Sequence, residues 1–173
     1  FDLYVWPSSG SQPGSPTVAN IYNFNYQFAA LGYGISYNWR IVSKNGNCFS
    51  VSGPIQSFTT RTIPDLNVSN IQSPSSVFSG QNMLISWQVN NIGLGGTGST
   101  QWTDAVYLSL DTIYQPFDIF VGGSSNVSAL TSGQSYNSSK TYTVPNSVSG
   151  NYYLIIASDK FQQLLESNEI NNS

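Results

Sequence analysis

The chain of 173 residues holds only eight acids and five bases, for a net charge of −3, and has no histidine. The missing histidine excludes Ser-His-Asp and Cys-His catalysis and the usual His-bearing zinc sites. The five bases (Arg40, Lys44, Arg61, Lys140 and Lys160) never cluster, which excludes the electrostatic footprint of a nucleic-acid or anionic-membrane partner.

At 39% hydrophobic and 14% aromatic, the chain is apolar enough to bury cores. No apolar run nears the roughly 20 residues of a transmembrane helix. Cys48 is the single cysteine, so there is no disulfide framework, and it reads as a small half-buried side chain in a loop.

Alternation of period two starts at the first residue. "FDLYVWP" sets Phe1, Leu3 and Val5 against Asp2, Tyr4 and Trp6. "IYNFNYQF" sets Tyr22, Phe24, Tyr26 and Phe28 against Asn and Gln, and "SYNWRIVSKN" and "GPIQSFTT" follow. Clusters of Gly, Pro, Ser and Asn separate these runs, as turns between strands require. Leu31 precedes Tyr37 by six residues with Gly32 and Gly34 between, the spacing of a tyrosine corner whose hydroxyl bonds upstream backbone.

After Arg61 the pattern restarts. Strands are predicted in 65–71, 81–93, 104–111, 117–123, 135–145 and 150–159, with no helix between them, which indicates antiparallel sandwiches. A second corner spacing occurs at Leu130, Gly133 and Tyr136. "DKFQQLLESN" is the one helix-like stretch, enough for a turn or two. The short crossing "RTIPDL", stiffened by Pro64, divides the chain into domains 1–61 and 62–173.

These residues carry two resemblances. "FDLYVW", "LGYGISYNWRIVSKNGN" and "GPIQSFTT" resemble the C-terminal part of a bacterial fibronectin type III domain. "PDL" (64–66), "SGQNMLISWQVNNIG" (79–93), "WTDAVYLSLD" (102–111), "SGNYYLIIASD" (149–159) and "ESNEINN" (166–172) resemble the CARDB family, the cell-adhesion-related domain of bacteria. The resemblances imply an all-β fold of two tandem immunoglobulin-like antiparallel β-sandwich modules. They also imply a non-enzymatic adhesion or spacer role in a larger protein, secreted or attached to the bacterial surface, where neighbouring domains and surface proteins or glycans are the partners.

The fibronectin pattern expects two strands before "FDLYVW", and the CARDB pattern runs on past Ser173, so the first domain is expected to be incomplete and a closing strand to be supplied from elsewhere. The expected remedy for the first domain is packing on the second or on another copy, as a homodimer. An export signal, where there is one, belongs upstream.

Three site candidates follow. Asp159, Glu166 and Glu169, interleaved with Asn168, Asn171 and Asn172, offer oxygens to calcium; the competing and favoured reading is a loop lock in which these side chains bond backbone. Asp111 and Asp118 bracket an inter-strand turn and are expected to cap it, as is Asp104 at its strand. Trp39 and Trp87 lie inside strands and read as core, whereas Trp6 and Trp102 lie at strand ends and are the exposed candidates for a glycan platform. That platform carries the alternative function, a carbohydrate-binding accessory module of a polysaccharide-degrading enzyme.

Overall fold

The computed structural model describes residues 1–23, 25–28, 30–46, 49–98, 101–126 and 128–173. Cys48 and Phe24, both weighed above, lie outside the described residues. The fold is all-β and antiparallel, and it separates into two units, Phe1–Arg61 and Thr62–Ser173.

The first unit is one sheet. Its strands are β1 (Asp2–Pro7), β2 (Ser36–Asn45), β3 (Phe49–Ser52) and β4 (Gln56–Thr59). β1 pairs with one side of β2, while β3 and β4 pair in succession with the other. Cross-strand pairs share a face, so Leu3 opposite Ile41, Val5 opposite Trp39 and Tyr37 opposite Phe58 form one apolar surface. The other face carries Asp2, Trp6, Val42 and Lys44, with an ion pair between Lys44 and Asp2. The Asp2 carboxylate is held below the usual aspartate range, first by its bond from Lys44 and then by the Asn20 N–H at 3.1 Å. The expected tyrosine corner is present: Gly32 N–H donates to the Tyr37 hydroxyl at 3.1 Å.

Among the described residues of "IYNFNYQF" the expected strand is not seen. Asn20 turns the chain at φ 56°, and just beyond it Ile21 and Phe1 exchange N–H to carbonyl hydrogen bonds beside β1. Alternation supplies a face, but no partner ladder is seen among the described residues to turn it into a strand. Ile21, Tyr26 and Phe28 line a groove over the apolar face, while Tyr22 is 89% exposed.

The second unit is a two-layer sandwich. Its strands are β5 (Leu66–Gln72), β6 (Asn82–Asn91), β7 (Trp102–Ser109), β8 (Ile119–Asn126), β9 (Ser135–Thr143) and β10 (Tyr153–Ala157). They form one sheet in the order β5-β6-β9 and another in the order β10-β7-β8. Alternate residues of β6 (Met83, Ile85, Trp87 and Val89) meet Trp102, Val106 and Leu108 of β7 and Ile156 of β10 in one core. The outer face of β7 is covered too, because Tyr114 from the turn after β7 packs on Tyr107, whose ring centroid is 4.9 Å away.

One further reading changes. Residues 159–168 hold turns rather than helix, since Asp159 and Gln162 take φ values of 43° and 51° that no right-handed helix accepts. Gly93 and Gly95 bring the loop after β6 against the start of the unit. A Cβ on Gly93 would lie 2.5 Å from Asp65 N, and one on Gly95 2.5 Å from Ile63 N, so only glycine fits.

Candidate functional site

The buried polar groups of the second unit gather at two places. The first centres on Asp104 of β7, which is 1% exposed in the sandwich interior. One carboxylate oxygen accepts from the Trp87 indole N–H at 2.9 Å and from the Tyr136 hydroxyl, and the other accepts from Ser158 Oγ at 3.0 Å. The Trp102 indole N–H donates in turn to the Tyr136 oxygen at 3.3 Å. Residues from β6, β7 and β9 and the residue just after β10 thus converge on one acid across both sheets. Burial pushes the Asp104 carboxyl up, and the bonds from Tyr136, Trp87 and Ser158 oppose that shift. Tyr136 is raised as well, by burial and then by the Asp104 charge.

This centre corrects three sequence expectations. Asp104 is the polar pin of a core rather than a local turn cap. Tyr136 does not repeat the backbone corner of Tyr37, because Asp104 lies closer to hand as an acceptor. Trp102 is fully buried at 0% exposure, since β8 pairs beside it and Tyr136 packs on its indole. Trp6 is likewise buried, at 6% exposure: β1 is flanked by β2 on one side and by residues 17–18 on the other, so its end is no free edge. Neither tryptophan offers a glycan platform. The signal available in sequence was two strand tryptophans needing indole acceptors beside a lone strand aspartate, but pairing them required the register.

The second place is the closing loop. Asp159 accepts from the N–H groups of Gln163 and Leu164, each at 2.8 Å. Glu166, 4% exposed, accepts from Leu66 N–H with one oxygen and from Asn172 Nδ2 at 3.1 Å with the other. Glu169 accepts from Glu166 N–H at 3.1 Å. Asp65 receives Asn171 Nδ2 at 2.9 Å and Ser167 Oγ at 3.0 Å, which fastens this loop to the start of β5. Burial is the largest influence on both buried acids: it raises Asp159, and it pushes Glu166 up to about 7.

Both oxygens of Asp159 and both of Glu166 therefore face internal donors, the arrangement of a loop lock. Among the described residues no three His, Cys, Asp or Glu side chains form a group that could hold a metal ion. Asp111 accepts from Ile113 N–H at 2.8 Å and Asp118 from Gln115 N–H at 2.7 Å, so both cap the turn between β7 and β8. Sequence reading passed over Asn91. Fully buried, it accepts from the Asp65 and Gly93 N–H groups at 3.1 Å and donates to the Gly95 carbonyl at 2.8 Å, knotting the glycine loop to the unit's first residues.

An antiparallel sandwich with an immunoglobulin-like arrangement and a core pinned by one acid defines a β-sandwich module. The CARDB family model matches residues 63–173. The chain belongs to the CARDB family, an immunoglobulin-like family that is non-catalytic and related to bacterial adhesion. No curated protein and no solved structure matches the chain.

Proposed function

We propose that this chain is a non-enzymatic adhesion or spacer module of a secreted or surface-attached bacterial protein, with the first unit representing half of a fibronectin type III-like sandwich. The observation that carries the reading is the fate of the buried carboxylates. Asp104, Asp159 and Glu166 each spend both oxygens on internal donors, so none is left to act on a substrate across a cleft. The acids brace the module. The Tyr37 corner supports the reading of the first unit. Neighbouring domains are the natural partners of such a module, and calcium is not required by a lock whose buried acids are already hydrogen-bonded.

A second reading, a carbohydrate-binding accessory module, rests on the outer face of the β10-β7-β8 sheet. Phe120 and Tyr153 stand there 55% and 54% exposed, on the same side as Tyr107. Flat aromatic faces of this kind stack on sugar rings. A glycan array and an insoluble-polysaccharide pull-down separate the two. The spacer reading expects no retention on any glycan, and retention abolished by Phe120→Ala and Tyr153→Ala would replace it with the second.

A further inference from the structure

Among the described residues of the first unit no strand forms a second layer on one face of its sheet, and we propose that a second copy of the chain docks on that face, face to face. The centre of this face is Leu3, Val5, Trp39 and Ile41, and a groove of about 480 Å³ opens over it. By alternation Arg40 and Lys44 project from the opposite face. Asp2, which reaches the groove rim, is neutralised by Lys44. Two copies therefore approach without like-charge repulsion.

The occupant does not enter by lengthening the sheet at β1. Leu3 N–H already donates to the Val18 carbonyl at 2.8 Å, and Val5 N–H to Thr17 Oγ1 at 2.9 Å. What the face accepts is another apolar layer, packed about 10 Å away as sheets pack in sandwiches. The same face supplies the projections to fill the groove. Phe49 and Val51, opposite Asn45 and Ser43, lie beyond Ile41 on the groove side and are 75% and 70% exposed. A two-fold axis parallel to the two faces and midway between them sets each copy's Phe49 and Val51 toward the other copy's groove, the self-complementarity of an isologous contact.

The area suffices for such a pair. Phe1, Tyr26, Ile41, Phe49, Val51 and Phe58 are each between 38% and 75% exposed. With aromatic side chains of about 150–250 Å² each, they leave on the order of 600 Å² of apolar surface per copy. Two copies then bury about 1,200 Å², the lower bound of a standard specific interface.

The test is sedimentation velocity of the full chain from micromolar to submillimolar concentration. The expected result is a concentration-dependent dimer whose association constant falls at least tenfold in Phe49→Glu/Val51→Glu, and again in Ile41→Glu, with the far-UV circular dichroism of the chain retained. Leu110→Glu, an exposed change in the other unit, is expected to leave the constant as it is. A chain that stays monomeric throughout overturns the proposal and assigns the face to a partner of different sequence. So does a dimer whose constant Phe49→Glu/Val51→Glu leaves unmoved, because its contact then lies elsewhere.

Discussion

The two units start from the same alternating pattern and end with different interiors. The second closes two three-stranded sheets over a core in which Trp87, Trp102 and Val106 are at most 1% exposed. The first has one sheet, and the apolar residues of its inner face, such as Ile41 and Phe58, remain 42% and 38% exposed. Each unit nevertheless buries an aspartate, and the two acids are treated in opposite ways. Asp2 is met by a cation, Lys44. Asp104 is met by neutral donors alone, an indole and two hydroxyls. A single layer with one wet side can bring in a lysine whose stem lies along the surface. A closed sandwich has no room for that charge, so its acid must be satisfied by hydrogen bonds that also stitch the layers together.

The largest effect expected from breaking this arrangement is that of Asp104→Ala. It leaves three donors without an acceptor, and a buried unsatisfied group costs about 1–3 kcal/mol. A loss of about 3–5 kcal/mol is expected in chemical unfolding of the second unit, while a change under 1 kcal/mol would mean that Asp104 does not pin the core.

The opposite shifts of the buried acids give a second test. Glu166, raised to about 7, keeps its proton in the fold where the unfolded chain has lost it. Its stabilising contribution is therefore complete below the ordinary glutamate range and is lost as pH rises through about 7. Asp104 and Asp159 shift in the same direction. Asp2 is lowered, so its contribution is present above the ordinary aspartate range and is lost as pH falls through its lower folded value. Mild acidification from alkaline pH is thus expected to strengthen the second unit, and strong acid to weaken the first. Thermal melts across pH check this: Glu166→Gln should flatten the slope near neutrality, and an unchanged slope would remove Glu166 as its cause.

The smallest effect separates the two tyrosines that share a sequence spacing. Tyr37→Phe gives up a single bond from the half-buried Gly32 N–H, for about 1 kcal/mol. Tyr136→Phe strands the Trp102 indole N–H and removes a donor from Asp104, for about 1–3 kcal/mol. Equal losses in urea titrations of the two variants would return Tyr136 to the status of an ordinary corner.

Strand placement was legible in the sequence because alternation, turn residues and β-branched runs act locally. All six strands of the second unit fall within or beside the segments predicted for them. Partnership was not legible. "IYNFNYQF" alternates as well as β6 does, but among the described residues no neighbouring strand completes its ladder, and "DKFQQLLESN" has helical composition but two residues at positive φ. The site divides along the same line. The turn-capping roles of Asp111 and Asp118 depend on bonds two to four residues away and could be read directly. The Asp104 centre joins residues up to 54 positions apart, so its members are visible only once the sheets are stacked.

The clasp at the end of the second unit has a mechanical meaning. Asp65 is tied to Asn171, and Leu66 to Glu166, across 106 and 100 residues. Residues 65 and 66 and the closing loop over 166–172 therefore sit side by side. Tension that pulls these two stretches apart falls on these few hydrogen bonds before it reaches the long ladder between β6 and β9. The clasp is therefore the first place expected to yield under load, ahead of the stacked sheets.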